Sequence, residues 1–273
     1  MTDYGQKVFY VNAPEVTDKG KFNQLCPTAK AEQTIVLGCY HAGQNGIYIY
    51  DVTDARLDGV EQVTAAHEML HAAYERLSDK EKSEIGKQLE DFYHNDLHDE
   101  RILKTINAYK LTEPDDVVNE MHSIFGTEIR NLPAPLQEHY KKYFSDRSKV
   151  VTYAEKYQAE FTSRQDAVSR YDSQLSNMKI QIDTMEADLK TSQDSINQKQ
   201  KELIGLRSSG DTQTYNAGVP AYNAQIDAYN NEVQRLKSLI AQYNQLVATR
   251  NSIALEENQL AQDLNSKAQT INN

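Results

Sequence analysis

The run Val60-Glu61-Gln62-Val63-Thr64-Ala65-Ala66-His67-Glu68-Met69-Leu70-His71-Ala72-Ala73-Tyr74-Glu75-Arg76-Leu77 decides the architecture of the first half of this chain. Val60, Val63, His67, Leu70, His71, Tyr74 and Leu77 recur at steps of three and four, the period of one helical face. Asp58 with Glu61 reads as a capping box that opens the helix. Two histidines therefore lie on the inner face of an amphipathic helix.

Upstream the period is two. Residues 7–11 and 33–40 are β-branched and aromatic runs, 47–52 alternates in the same way, and Gln44-Asn45-Gly46 is a hairpin turn signal. A small antiparallel sheet is expected, with Ile47-Tyr48-Ile49-Tyr50 as an edge strand beside the helix. Downstream, Ser78 with Glu81 caps a helix to about Tyr93, a second covers about 100–109, and Thr112-Glu113-Pro114-Asp115-Asp116 opens a third that stops near Gly126.

After Pro135 the pattern becomes a heptad seam. Tyr157, Phe161, Val168, Tyr171, Leu175, Met178, Ile182, Met185, Leu189, Ile196 and Leu203 mark one arm, and Tyr222 through Ile240 to Ile271 marks another. The glycines and proline of 208–221 lie between them, where a chain would reverse. The expected fold class is thus α+β, with a small antiparallel sheet and helices over residues 1–149 and a long antiparallel coiled-coil hairpin over 150–273.

The chain has 273 residues, no tryptophan, and a net charge of −11. All seven histidines, both cysteines and five of the six prolines precede residue 150, so the chemistry is concentrated in the first half. Residues 1–149 carry 17 Lys and Arg against 25 Asp and Glu, a net of −8. Such a surface repels phosphate backbones and anionic membranes, so no nucleic-acid partner is expected. No stretch has the apolar length of a membrane span. Cys26 and Cys39 lack a zinc-ribbon spacing and are either two buried thiols or one disulfide. A disulfide would place the protein outside the cell or at its surface, with a signal or anchor preceding the sequence shown; two thiols would suit the cytoplasm.

His67-Glu68-Met69-Leu70-His71 has the chemistry of a metal site. Residues four apart on a helix differ by only about 40° in direction, so both imidazoles reach one ion while Glu68 points beside them at water. Zn2+ is the expected ion. A metzincin would continue with glycine at 74 and histidine at 77, where this chain has Tyr74 and Leu77. A third ligand must come from a later segment, and Glu120 sits on the apolar face of 117–124, where a carboxylate is costly unless paired or metal-bound. His94, His98 and His122 read as solvated or structural.

Asn119-Glu120-Met121-His122-Ser123, taken with the His67–His71 motif, resembles the glutamate helix of the gluzincins, the thermolysin-like metallopeptidases. The resemblance covers His67 to about Gly126. It implies a zincin-like domain in which His67, His71 and Glu120 are zinc ligands and Glu68 is the general base. The chain departs from the family in the longer gap before Glu120, filled by helix over 78–110, and in having Ile124 where the prototype has aspartate. Glu128 is the alternative carboxylate. The implied reaction is attack of an activated water on a peptide carbonyl, with Glu68 taking the proton and returning it to the leaving amine. Tyr74, His139, Tyr140 and Tyr143 are the transition-state donors expected by residue type.

Two other classes compete: a structural or interaction protein with a coiled-coil arm and a non-catalytic metal-binding head, and a metallohydrolase acting on other amides. The expected partners are a peptide or protein substrate and, through the coil, a protein partner or a second copy.

Overall fold

In the computed structural model, which describes residues 1–27, 36–42 and 46–266, the chain divides into two units. One comprises residues 1–162 together with the chain from Asn258 onward, and the other is Ser163–Glu257. The expected boundary at 149/150 falls inside a helix that begins at Arg147.

The first unit is α+β. In chain order it holds α1 (Asp3–Val11), β1 (Glu15–Thr17), α2 (Lys19–Leu25), β2 (Gly38–His41), β3 (Gly46–Tyr50), a short 3-10 turn (Ala55–Leu57), α3 (Val60–Glu75), α4 (Asp79–Asn95), α5 (Glu100–Thr112), α6 (Val117–Glu128) and α7 (Ala134–Tyr140). The first turns of α8 (Arg147–Ser209) and the last of α9 (Thr212–Asp263) also belong to it. The three strands run in the order β1-β3-β2, with β1 parallel and β2 antiparallel to β3. The sheet is therefore mixed, not purely antiparallel.

Residues 7–11 are helical, against their β-branched pattern. Thr2 Oγ1 caps α1 by accepting from the Gly5 amide at 3.1 Å, and α1 buries Gly5 and Val8 while Tyr10 and Val11 face outward. The cap and the packing outweigh a weak strand propensity. The missing third strand is supplied by Glu15-Val16-Thr17. The expected turn at 44–45 and the start of the expected strand at 33–35 lie outside the described residues.

Helix α3 starts at Gly59, whose φ of +101° suits glycine, and not through the expected capping box. Asp58 pairs instead with Lys156 at 2.6 Å, and Glu61 accepts from the Val52 amide at 3.2 Å, tying the end of β3 to α3. The Ser78–Glu81 capping box forms as expected. Thr112 ends α5 rather than opening α6, and α6 runs past Gly126 to Glu128. Gly126 serves a close crossing: a Cβ there would collide with Leu70 and come within 2.7 Å of the Tyr140 ring. That crossing brings α6 against α3, with Met69, Leu70, Ile124 and Phe125 buried between the helices.

The disulfide reading of the cysteines holds: Cys26 at the end of α2 is bonded to Cys39 on β2, with Cα atoms 6.0 Å apart. His41 Nε2 lies 3.3 Å from Cys39 Sγ and 2.7 Å from the Leu25 carbonyl oxygen. With both sulfurs joined, this trio is not a metal–thiolate group.

The second unit is two packed helical segments joined at Gly210, whose φ is +80°. The reversal is tighter than the expected 208–221, because Gly218 and Pro220 lie inside α9. A Cβ at Gly218 would approach Leu203 Cδ2 to 2.8 Å, so the glycine permits close contact between the two helices. Ile182, Ile196 and Leu203 are buried along the seam, and Arg250 grips Asp172 in a bidentate pair at 2.9 and 3.1 Å. The end of the expected seam, Ile271, lies outside the described residues. Among those residues, no helix is long and apolar enough to cross a membrane.

Candidate metal centre

Helices α3 and α6 carry the site. His67 and His71 are one helical turn apart on α3, and Glu120 projects toward them from the first turn of α6. His71 Nε2 lies 3.4 Å from Glu120 Oε1, and His67 Nε2 lies 3.6 Å from Glu120 Oε2. These separations are long for hydrogen bonds, and Glu120 Oε2, though buried, has no hydrogen-bond partner. They match the spacing of about 3.3 Å between two ligands of a tetrahedral ion with bonds of about 2.0–2.1 Å. The three ligating atoms lie within 4.8 Å of one another, so two imidazoles and a carboxylate can share one metal ion. The expected trio is thus brought together, from segments 49 to 53 positions apart in the chain.

Glu120 is 7% exposed. Burial pushes its carboxyl up, but His71, His67 and the hydroxyl of Tyr109 outweigh burial and hold it below the ordinary carboxylate value. Asp116, just before α6, is raised by burial, against the opposing hydrogen bond from Asn119 and the charge of His71.

Glu68 is 5% exposed and leans on β2. Gly38 makes this seat: a Cβ there would stand 2.5 Å from Glu68 Oε1 and 2.6 Å from Thr64 Cγ2. Two cavities meet at His67 and Glu68, both bordered by Val36, Gly38 and Tyr109. One, of about 430 Å³, continues past Tyr40, His71, Asp116 and Glu120. The other, of about 360 Å³, continues past Val63, Thr64, Ile124 and Arg101. Together they form a cleft along β2.

The expected edge strand is β3, but β3 is the central strand and has partners on both sides. The edge is β2. The Tyr50 amide donates to the Leu37 carbonyl at 2.8 Å, and in the register Gly38↔Ile49 and Tyr40↔Ile47 this turns the main-chain groups of Gly38 and Tyr40 away from β3.

None of the four expected transition-state donors lines these cavities. Tyr140 is buried and donates its hydroxyl to the His122 carbonyl at 2.7 Å, and Tyr143 is fully buried. His139 Nε2 lies 2.9 Å from His122 Nε2, and Tyr74 packs on the His122 ring. Burial holds His122 far below the ordinary histidine value, and burial with Lys142 nearby takes His139 down to about 4. The residue that does border both cavities is Tyr109, on α5. Its signal was present in the sequence: Ile102, Ile106 and Tyr109 share the inner stripe of α5, so a hydroxyl sits where an apolar residue is normal. Glu128, the alternative carboxylate, pairs with Arg101 at 2.7 Å. His94 and His98 are exposed.

Comparison with protein-family models, with curated proteins and with solved structures finds no match for this chain.

Proposed function

We propose that this chain is a zinc-dependent endopeptidase of gluzincin type, with His67, His71 and Glu120 holding the ion and Glu68 as general base. The observation that carries the reading is the convergence of these three side chains, with Glu68 beside them, in a cleft bounded by the outward-facing side of β2. When bound, zinc supplies Lewis acidity to an attacking water and to the peptide carbonyl. Glu68 takes the proton of that water on its carboxylate and returns it to the leaving amine. Gly38 and Tyr40 offer main-chain groups to an extended peptide, which would align the scissile bond by strand addition. Tyr109, whose hydroxyl bears on the Glu120 carboxylate in the structure, would turn that hydroxyl to the developing oxyanion when substrate is bound. A carboxylate next to two metal-binding histidines has no task in a purely structural site, which favours catalysis over a metal-stabilised head.

The test is zinc content and cleavage of a peptide library by wild type and Glu68→Gln at equal metal loading. Both proteins should hold one zinc per chain and only wild type should cut; a variant that cuts as well as wild type would remove Glu68 from the reaction. The helical hairpin supports a second role, as a docking arm for a protein partner or a second copy. The Cys26–Cys39 disulfide supports an extracellular or cell-surface location.

A further inference from the structure

The 360 Å³ cavity has a wall that does not come from the helices of the metal site. Tyr157 and Gln158, in the first turns of α8, and Leu264, just past α9, face it. Tyr157 and Leu264 are 8% and 5% exposed and pack with Leu57, Val60 and Val63 against the start of α3. Leu264 is held there by the chain that follows it. Ser266 Oγ donates to the Val36 carbonyl at 2.5 Å, Asn23 Nδ2 donates to the Ser266 carbonyl at 2.5 Å, and Lys19 Nζ donates to the Asn265 carbonyl at 2.7 Å. Val36 is on the same outward-facing register as Gly38 and Tyr40, so this anchor occupies the β2 edge at one end of the cleft.

We infer that this cavity is the side-chain specificity pocket of the cleft, that Leu264 and Tyr157 are its specificity-determining residues, and that it takes a large aliphatic or aromatic side chain next to the scissile bond. The inference rests on the peptidase reading for the word specificity, but the pocket itself is a matter of binding. Val63 and Thr64 stand one helical turn before His67 and Glu68, so the cavity opens beside the reacting position. Its volume is within the range of about 300–1,000 Å³ usual for ligand pockets. Val63, Ile124, Tyr157 and Leu264 give it an apolar side, and Thr64, Thr105, Gln158 and the Arg101–Glu128 pair complete the lining away from His67 and Glu68. Among the described residues, the one Lys or Arg facing it is Arg101, which is already paired with Glu128 at 2.7 Å and offers no net charge to an acidic side chain. The Ser266 anchor at Val36 closes the edge on this side, so a substrate strand ends its pairing at Gly38 and turns its side chain inward.

Two measurements on the full zinc-loaded chain separate this inference from the function it builds on. First, acetyl-phenylalanine amide, acetyl-leucine amide, acetyl-alanine amide and acetyl-aspartate amide are titrated while the methyl resonances of Leu264 and Ile124 are followed. The phenylalanine and leucine amides should shift both methyls saturably, and the alanine and aspartate amides should not. Equal shifts for all four, or none for any, would overturn the pocket whatever the chain cuts. Second, peptides that differ only at the residues flanking the cut are compared for wild type, Leu264→Phe and Leu264→Ala. Wild type should prefer a large apolar residue over alanine by roughly ten-fold or more in kcat/KM. Leu264→Phe, which fills the space, should erase that preference, and Leu264→Ala should shift it toward larger side chains. An unaltered preference in both variants would overturn the assignment of Leu264. If the apolar amides bind as expected but no peptide is cut, the pocket stands and the peptidase reading falls.

Discussion

The seat of Glu68 on Gly38 can be tested without touching His67, His71 or Glu120. In Gly38→Ala the new Cβ would lie 2.5 Å from Glu68 Oε1, 2.7 Å from its Cγ and 2.6 Å from Thr64 Cγ2. Ordinary contacts between such atoms are about 3.5 Å, so the carboxylate must retreat by about 1 Å. A displacement of that size in a catalytic group costs about a hundred-fold in rate, or about 2.7 kcal/mol of barrier. Crowding of this kind also lowers stability by about 1–3 kcal/mol, which a denaturant midpoint would register. His67, His71 and Glu120 are untouched, so zinc content should remain at the wild-type level. The assay is kcat and KM on a cleaved peptide, with zinc measured on the same sample: kcat should fall about a hundred-fold with KM nearly constant. Undiminished kcat in a variant that retains zinc would refute the idea that Gly38 positions Glu68. Loss of zinc would show that β2 supports the ligands themselves.

Tyr109→Phe should lower kcat by roughly ten- to a hundred-fold, because in the proposed reaction its hydroxyl turns from Glu120 to the developing charge and adds little to substrate binding; an unchanged kcat in steady-state kinetics, with zinc measured on the same sample, would exclude the role. His139, its value depressed to about 4 by burial and by Lys142 and opposed by Glu81, is kept neutral beside His122 in the folded state. An unfolded chain takes up that proton near the ordinary histidine value of about 6.5, so folding stability is fully present above about 6.5 and is lost as pH falls toward 4, by up to about 3 kcal/mol from this residue. Urea melts of the metal-free protein between pH 7 and 4.5 should show the slope, and His139→Gln should make it shallower, leaving the part due to buried His122; parallel slopes would rule the residue out.

Local spacing was enough to identify the helix that carries His67, Glu68 and His71, because a ligand pair four residues apart is defined by one turn of one helix. It was enough, too, for the Ser78–Glu81 cap and for the long helices, whose heptads are short-range patterns repeated many times. Glu120 was legible as a carboxylate on an apolar stripe, a local anomaly that points to a partner without naming it. What depends on neighbours distant in the chain was not legible. The strand pattern at 7–11 yields to a Thr2 cap and to packing of Val8, and the central or edge place of β3 depends on whether Glu15–Thr17 joins it. Gly126 looks like a helix stop in one dimension and is a crossing point in three, since only the contact with Leu70 and Tyr140 reveals its use. Tyr109, Gly38 and Leu264 meet Glu68 from three separate segments, and the side chains bordering a cleft are set by which helices cross and at what distance. The sequence by itself determined the candidate ligand types and the helices that bear them; the tertiary structure alone decided which strand edge, which hydroxyl and which apolar wall stand around them, because those are contacts between surfaces and not periods along a chain.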